Sequence, residues 1–360
     1  MLKYFVADAF AEEPFEGNPA GVCVLDEWIP MEKMAKIAME NNLSETGFAV
    51  KESDNPCTYG LRWFTPVGEI DLCGHCTFGT AYILFRFFEQ ETDVIHFNTL
   101  KCGYHLVVEK QGDRIVMDFP SLPPEPFEYA DYMGDGVGAV PSEVWKTDRD
   151  LLLVYDSDET VKALQPDFEK LKAFPVGMSV YVTAKSTDPR FDIAARAFWP
   201  KINVNEDPVC GSMHSALMPF WGERLGKSEI VSRNYSRRGG TVWCEQAGDR
   251  VKISGKGALY LVGEILLDES GGNENGNRQT RTHRSQRRDR RGRVREYPRH
   301  GAGDPAGALR ARDAVLRHLR QDRAGKARFP CSRVLCAALF RHDGAQARLP
   351  HHRRESARRK

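Results

Sequence analysis

Residues 71–77, Asp-Leu-Cys-Gly-His-Cys-Thr, open one long apolar segment, and residues 206–214, Glu-Asp-Pro-Val-Cys-Gly-Ser-Met-His, open another. The two Cys-Gly pairs within them are 137 residues apart. The segments that follow the two cysteines, residues 74–88 and 211–225, are too apolar on every side for surface helices. The sequence therefore predicts two buried helices that begin with the same motif.

Two further blocks recur in the same order along the chain. Residues 103–114, Gly-Tyr-His-Leu-Val-Val-Glu-Lys-Gln-Gly-Asp-Arg, match residues 239–250 in their first Gly, their Glu and their closing Gly-Asp-Arg. Upstream, residues 62–66, Arg-Trp-Phe-Thr-Pro, correspond to residues 196–200, Arg-Ala-Phe-Trp-Pro. Three matched blocks in one order indicate an internal repeat. We therefore expect two pseudo-symmetric lobes of one ancestral plan.

Short runs of β-branched and aromatic residues, bounded by Gly, Pro, Asp or Asn, predict the strands of both lobes. The predicted strands are Lys3–Ala9, Gly21–Leu25, Gly47–Lys51, Tyr59–Phe64, Tyr104–Glu109, Arg114–Phe119, Leu151–Tyr155, Val180–Ala184, Ala194–Trp199, Thr241–Glu245, Val251–Ser254 and Ala258–Leu266. Together with the two apolar helices, they predict an α/β (α+β) fold in which each lobe is a curved sheet around a buried central helix.

The chain divides into two segments of opposite charge. Residues 1–267 carry 26 basic and 40 acidic residues, a net charge of −14, whereas residues 268–360 carry 25 basic and 10 acidic residues, a net charge of +15. An acidic body is a poor partner for nucleic acid, because phosphate binding depends on clustered Lys and Arg. A small-molecule enzyme fits this composition better.

The cellular location is predicted from the N-terminus and the cysteines. Residues 1–8 contain no long apolar run, so we expect neither a secretion signal nor a membrane segment there. Seven of the nine cysteines lie in residues 1–267 without regular disulfide spacing. An odd number in a large domain is typical of free thiols in a reducing cytoplasm, and the sequence therefore predicts a cytoplasmic protein.

The segment 268–360 is a separate problem. It contains 23 Arg but only 2 Lys and little apolar periodicity, which is typical of a disordered tail. An Arg-rich arm for nucleic acid is one interpretation. The abrupt change of composition favours another, a frameshift in a GC-rich gene, which the coding DNA read in its other frames would test.

The paired helix starts suggest a chemistry. The first N–H groups of a helix have no partner within it, and the positive end of the helix dipole attracts anions. Two such starts facing one cleft would hold a carboxylate, with Gly74 and Gly211 allowing close backbone approach. A duplicated scaffold with no ligand between its lobes is the alternative.

Five motifs together resemble the phenazine-biosynthesis (PhzF-like) family, which has the fold of diaminopimelate epimerase. They are residues 17–22 (Gly-Asn-Pro-Ala-Gly-Val), 43–48 (Leu-Ser-Glu-Thr-Gly-Phe), 62–66, 73–75 and 207–214. The resemblance covers residues 1–267. It implies an N-terminal lobe of residues 1–125 completed by a last strand in 257–267, a C-terminal lobe of residues 126–256, and a homodimer.

The resemblance also implies an activity and its residues. It indicates a cofactor-independent isomerase that moves a proton between carbons of a small carboxylate, with Glu45 as the proton shuttle. It places His75, Asp207 and Ser212 in the active site and Asn18 on the substrate side. Such chemistry needs one group that accepts a proton and returns it, which a carboxylate shielded from water does well. Helix capping or turn formation would also suit Asp207, Ser212 and Asn18.

Cysteines supply two competing hypotheses. A racemase or epimerase of this fold uses opposed thiols directly before the helix glycines, as Cys73 and Cys210 are here, and a helix start favours a thiolate. Here, however, His75 stands where diaminopimelate epimerases have Asn. The second hypothesis is a thiol–disulfide oxidoreductase, because Cys73-Gly-His-Cys76 matches protein disulfide isomerases, although Leu72 replaces the usual aromatic residue.

No further cofactor is indicated. The sequence contains neither a Gly-rich phosphate loop nor the Cys and His spacing of a metal site. A binding module without catalytic activity remains as a third alternative to the isomerase.

Overall fold

A computed structural model describes residues 1–267 of the chain. The predictions made for residues 268–360, namely a disordered tail, a nucleic-acid arm or a frameshifted segment, lie outside the described residues.

The described residues form strands and helices in alternation. The strands are β1 (Leu2–Ala9), β2 (Asn18–Leu25), β3 (Glu45–Asp54), β4 (Cys57–Thr65), β5 (Gly68–Ile70), β6 (Val94–Thr99), β7 (His105–Gln111), β8 (Arg114–Pro120), β9 (Glu125–Pro126), β10 (Glu143–Lys146), β11 (Leu151–Val154), β12 (Val180–Lys185), β13 (Ile193–Trp199), β14 (Val204–Asp207), β15 (Glu229–Asn234), β16 (Gly240–Ala247), β17 (Arg250–Gly255) and β18 (Gly257–Ile265). The α-helices are α1 (Met31–Asn41), α2 (Gly74–Phe87), α3 (Asp131–Val137), α4 (Asp158–Ala163), α5 (Phe168–Lys172) and α6 (His214–Leu225), and a 3₁₀ turn spans Pro200–Ile202.

Strand pairing follows the same order in the two halves of the body. Strands β1 and β2 pair antiparallel, β2 and β3 parallel, β3 and β4 antiparallel, β4 and β6 parallel, and β6, β7 and β8 antiparallel. Strands β10, β11, β12, β13, β15, β16 and β17 repeat this order of directions. The expected mixed α/β fold of two pseudo-symmetric, mostly antiparallel lobes is confirmed.

The lobes are connected through strands at their edges. Strand β8 pairs antiparallel with β17, from Ile115 opposite Gly255 to Pro120 opposite Arg250. At the other edge, β18 pairs with β1 over the full length of β1. The last strand of the body therefore returns to the first.

The repeat also preserves an ion pair. Arg62 on β4 approaches Glu69 on β5 with both carboxylate oxygens engaged, at 2.7 and 2.9 Å. Arg196 on β13 holds Glu206 on β14 in the same two-pronged way, at 2.7 and 3.2 Å. Such forked pairs fix orientation as well as charge. The matched blocks 62–66 and 196–200 thus each supply an arginine that makes the same ion pair in its own lobe.

Helices α2 and α6 are the buried helices that the sequence predicts. Helix α2 begins at Gly74, as expected, and most of its residues are buried. Helix α6 begins at His214, so the predicted start at Gly211 was wrong by three residues. The reason is a tight turn: the His214 N–H donates to Gly211 O at 3.0 Å and the Ser215 N–H to Ser212 O at 3.2 Å, both three residues back.

All twelve predicted strands are present, and the elements that were missed are short or strongly polar. They are β5, β6, β9, β10, β14 and β15, with helices α3, α4 and α5. All seven cysteines of residues 1–267 are free thiols, as predicted. Of the helices in this range, none combines the length and apolarity needed to cross a bilayer.

Candidate active site

Glu45 is the first residue of β3 and follows a helix end. Helix α1 stops at Asn41, and Asn42 caps it in a left-handed conformation, with its N–H donating to Ala38 O at 3.2 Å. Two residues then lead into the strand, where Glu45 stands opposite Ala20 of β2. Because it starts a strand, Glu45 is not part of a helix cap.

His75 lies between Glu45 and Cys73. Its Nε2 is 3.0 Å from Glu45 Oε2, and its Nδ1 is 3.5 Å from Cys73 Sγ. The side chains of Glu45 and His75 are only 15% and 12% exposed. The imidazole therefore connects a carboxylate and a thiol at a point where the side chains are largely shielded from water.

This trio is also the metal-ligand cluster among residues 1–267, with its ligand atoms within 4.8 Å of one another. Zinc accepts all three ligand types. However, the carboxylate and the thiol contact opposite nitrogens of one ring, and a single ion binds only one of those nitrogens. The arrangement fits the passage of protons better than the binding of a metal.

Burial and charge act against each other in this trio. Burial alone would raise the pKa of Glu45, but the His75 charge and the hydrogen bonds from His75 and Cys73 together hold that pKa below its ordinary value. Burial would lower the pKa of His75, but its contacts with Cys73 and Glu45, through charge and hydrogen bonds together, hold it well above its ordinary value. Glu45 and His75 therefore each favour the charged form of the other.

Asn18 connects the N-terminal lobe to Asp207. Gly17, at φ +65°, makes the turn before it, and a Cβ there would lie 2.2 Å from Ala9 O. The fully buried Asn18 side chain donates from Nδ2 to Asp207 Oδ1 at 2.6 Å and to Val209 O at 3.2 Å. Its role therefore extends beyond turn formation.

Asp207 ends β14 and faces the same cleft. Burial raises its pKa from 3.8 to about 6, while the charge of His75 lowers it and that of Glu45 raises it. Both groups act on Asp207 only because they are close to it. Since helix α6 begins seven residues later, Asp207 is not the N-cap of that helix.

The second Cys-Gly motif mirrors the first with different chemistry. Cys210 Sγ lies 3.5 Å from Ser212 Oγ, as Cys73 Sγ lies 3.5 Å from His75 Nδ1. His214 Nδ1 contacts Cys210 O at 3.0 Å, and burial lowers the pKa of His214 to about 4. His214 is therefore neutral and anchors the turn, without taking part in proton transfer.

Both candidate catalytic thiols are buried and protonated. Burial raises the pKa of Cys73 well above 9.0, and burial is also the largest cause that raises the pKa of Cys210. The helix start at Cys73 does not overcome this cost. Neither thiol supplies a thiolate at neutral pH.

The cleft contains polar atoms that no hydrogen bond from the described residues satisfies. They include Asn18 Oδ1, Glu45 Oε2 and His75 Nε2, since the 3.0 Å contact between the last two lacks hydrogen-bond angles. Buried polar atoms are nearly always paired in a folded protein. Asn18 Oδ1 is thus available to a polar ligand, whereas Glu45 Oε2 and His75 Nε2 face each other as an ion pair.

The two glycines at the motifs differ in the room around them, with ordinary space at Gly74 and a tight contact at Gly211. A Cβ at Gly74 would meet nothing closer than Phe119 Cζ at 3.5 Å, and one at Gly211 nothing closer than Phe10 Cζ at 3.2 Å. The structure therefore brings the sequence-predicted residues together in two linked groups. The groups are Glu45, His75, Cys73 and Gly74 on one side, and Asn18, Asp207, Cys210, Gly211 and Ser212 on the other.

Sequence reasoning missed Arg149, a half-buried cation on the turn between β10 and β11. It lies outside every repeated motif, so the sequence carries no signal for it. The thiol–disulfide hypothesis, by contrast, was wrong, because Cys73 and Cys76 lie in a two-lobed antiparallel fold and not in a thioredoxin fold.

Comparison with known proteins gives a consistent result. A sequence model of the family described as "Phenazine biosynthesis-like protein" (PhzC-PhzF) matches residues 7–263. An uncharacterised isomerase of Pseudomonas aeruginosa is 46% identical over 266 residues, covering 74% of this chain and 99% of that protein. Another from Halalkalibacterium halodurans is 40% identical over 270 residues, covering 73% of this chain and 98% of that protein.

A solved structure agrees with the sequence comparisons. The crystal structure of a PhzF-family protein from Enterococcus faecalis shares 43% identity and a TM-score of 0.70, covering 74% of this chain and 99% of that one. The fold, the cleft and these relatives together identify the chain as an isomerase that belongs to the phenazine biosynthesis-like (PhzC-PhzF) family.

Proposed function

We propose that the chain isomerises a small carboxylate by moving one proton between two carbons, with Glu45 as the shuttle and no cofactor. The observation that carries this proposal is the contact of Glu45 Oε2 with His75 Nε2 at 3.0 Å inside a nearly closed cleft. A carboxylate kept ionised there is ready to accept a proton, and its exclusion from water favours return of that proton to the substrate.

The step balances without an oxidant or reductant. Glu45 takes a proton from one carbon, and the electron pair of the broken C–H bond enters the π system of the substrate. The double bond shifts, and a second carbon uses an electron pair to take the proton back from Glu45. His75 keeps the shuttle oriented and stabilises the charge that develops.

The substrate carboxylate is assigned to the backbone N–H groups at Gly74 and Gly211. Helix α2 presents its positive end there, and the turn before α6 presents free N–H groups on the other side. The open space beside Gly74, where a Cβ would meet nothing closer than 3.5 Å, supports this placement on the side of α2.

The two-thiol mechanism is the alternative within this cleft. It needs Cys73 or Cys210 as a thiolate, and burial raises the pKa of both. The contact of Glu45 with a charged imidazole therefore favours Glu45 as the base.

Exchange of carbon-bound hydrogen with heavy water tests the proposal. A panel of amino acids and cyclic carboxylic acids is incubated with wild type, Glu45→Gln, Cys73→Ser and Cys210→Ser, and deuterium uptake is followed by NMR. We expect Glu45→Gln to lower exchange by about 10²-fold or more, with the serine variants far less affected. The exposed Glu27→Gln is the matched control and should behave as wild type.

Two results would contradict the shuttle. Full exchange by Glu45→Gln would show that another group moves the proton. Loss of exchange in both serine variants, with Glu45→Gln active, would establish the two-thiol mechanism instead.

A further inference from the structure

Arg149 is held in place by its neighbours on the C-terminal side of the body. Its Nε donates to Asp150 Oδ2 at 2.7 Å and its Nη2 to the Tyr181 hydroxyl at 3.0 Å. The guanidinium also lies 4.8 Å from the centre of the Trp199 ring. These contacts fix the orientation of a charge that is 19% exposed.

The register of the strands places Tyr181, which accepts from this group, on the same sheet face as Asp207. Tyr181 is opposite Ala197, and Ala197 is opposite Asp207, so the three residues form one row across β12, β13 and β14. Residues directly opposite one another in antiparallel strands share a face. Tyr181, which touches Arg149, therefore lies on the face of Asp207, two strand spacings or about 10 Å away.

The pseudo-symmetry of the lobes also places the turn that carries Arg149 near the active site. Thr46 pairs with Phe64 in the first lobe, and Val180 pairs with Phe198 in the second. Thr46 and Val180 therefore occupy equivalent positions in the two lobes. Glu45 precedes Thr46, and Ser179 precedes Val180, so Ser179 corresponds to Glu45. The Ser179 N–H donates to Asp150 Oδ1 at 3.3 Å, so the turn that carries Arg149 meets the position corresponding to Glu45.

Electrostatics agree with this placement. Burial raises the pKa of Cys210, and the positive charge of Arg149 is among the groups that oppose the rise. Such an influence requires the two side chains to be near one another.

Comparison with Arg196 shows that one nitrogen of the Arg149 guanidinium is available as a donor. Arg196 uses Nε and Nη2 on Glu206, and its Nη1 donates to Val161 O and Leu164 O. Arg149 uses Nε and Nη2, while its Nη1 has no hydrogen-bond partner within residues 1–267. A guanidinium donates in a planar fork, so Arg149 still presents a charged donor.

The cleft also requires a cation for an anionic ligand. Glu45 and Asp207 are acidic, and the charge of His75 is balanced by Glu45. An acid with two anionic groups would be repelled unless another positive charge faced it.

We propose that Arg149 binds a second acidic group of the substrate, so that the isomerase acts on small acids carrying two anionic groups. The inference rests on the proposed function for the first carboxylate, which the backbone at Gly74 and Gly211 receives. The Nη1 group of Arg149 receives the second, in a charge-assisted hydrogen bond.

Calorimetric titration with succinate and butyrate tests the inference, since the two acids have the same number of carbons and differ in their charged groups. For wild type we expect succinate to bind at least about tenfold more tightly than butyrate. Arg149→Gln should remove this preference and leave butyrate binding unchanged. Arg149→Lys, which keeps the charge, should retain part of it.

The matched control is Arg224→Gln, since Arg224 pairs with Glu143 near the C-terminal end of α6. It should keep the full preference for succinate. The inference is overturned if wild type binds both acids equally, if Arg149→Gln keeps the preference, or if that variant loses both acids to the same extent while still melting as wild type.

The readout is independent of turnover. Glu45→Gln should still prefer succinate, so failure of the shuttle would leave this result standing. If the wild type exchanged hydrogen normally but did not prefer succinate to butyrate, only the role of Arg149 would be rejected.

Discussion

Asp207 is held as a buried acid at a cost to the folded protein. Its pKa is raised from 3.8 to about 6, mainly by burial. The folded state therefore keeps a proton that the unfolded chain releases between about pH 4 and pH 6. Below about pH 4 Asp207 is protonated in both states and its burial carries no charge penalty. As the pH rises through about 6 the folded protein must bury the charged carboxylate, and the free energy of unfolding falls.

Asp207→Asn should therefore raise the free energy of unfolding at pH 7, by at most about 3 kcal/mol. The amide removes the desolvated charge and still accepts from Asn18. The gain should vanish near pH 4, which urea denaturation at both pH values would show. The exposed Asp26→Asn should change stability by less than about 0.5 kcal/mol at either pH, and equal gains at pH 4 and pH 7 for Asp207→Asn would contradict the assignment.

Gly74→Ala separates binding from folding. The new methyl group has room, since its nearest neighbour is Phe119 Cζ at 3.5 Å, so the melting temperature should stay within about 2 °C of wild type. If the Gly74 N–H receives the substrate carboxylate, the methyl group should weaken binding of butyrate about tenfold. Unchanged binding would move the carboxylate elsewhere.

Nine site residues were predicted from the sequence, because each lies in a motif with a recurrent spacing or a known resemblance. Their roles remain predictions. Arg149 was missed for a physical reason: a single Arg in a polar turn resembles any surface residue until the fold brings Tyr181 beside it and sets that tyrosine on the sheet face of Asp207.

At the scale of elements, α2 packs against β2 at a point where only glycine fits. A Cβ at Gly79 would lie 2.9 Å from Ala20 Cβ. Gly79→Val should push the helix from the sheet and lower the free energy of unfolding by about 1–3 kcal/mol. Chemical denaturation measures the change.

Gly263→Val on β18 is the control for this substitution. Its nearest neighbour would be Leu261 Cδ2 at 3.4 Å, and its backbone is compatible with a side chain. It should leave stability unchanged or slightly increased, because Val favours strands. If Gly79→Val and Gly263→Val lowered the free energy of unfolding equally, the close approach of α2 and β2 would not be the cause of the loss.

Elements with a strong apolar signal were predicted, and elements defined by tertiary contacts were not. Helix α2 and strands such as β11, Leu151–Val154, are recognisable because every residue is apolar or nearly so. Strand β14, Val204–Asp207, has one apolar residue and exists because it pairs with β13. The start of α6 was misplaced because the sequence does not distinguish a tight 3₁₀ turn after Cys210 from the first turn of an α-helix.

On the scale of the whole molecule, the described body should be independent of the tail. Strand β18 closes the sheet by pairing with β1 from Leu2 opposite Ile265 to Ala9 opposite Gly257. A chain ending at Leu267 should therefore keep its circular dichroism spectrum, its melting temperature and its exchange activity. A loss of folding on removal of residues 268–360 would contradict this.

A chain ending at Lys256 is the control, because it lacks β18 and leaves β1 as an open edge. Phe5 and Val6 would lose their partners on β18 and keep only those on β2. An uncovered apolar edge favours aggregation, and we expect this variant to be insoluble or unfolded. The lobe boundaries, residues 1–125 and 126–256, and the homodimer remain predictions at this scale, and light scattering would measure the oligomer.

In both Cys-Gly motifs the cysteine sulfur lies 3.5 Å from the side chain two residues on, yet that side chain is an imidazole in the N-terminal motif and a hydroxyl in the C-terminal one. Glu45 and His75 both come from the N-terminal lobe, so under the proposed shuttle the proton leaves and returns on a single side of the substrate. The transfer would be suprafacial. A product labelled from heavy water would then carry its deuterium in one configuration, whereas two opposed thiols would invert a stereocentre.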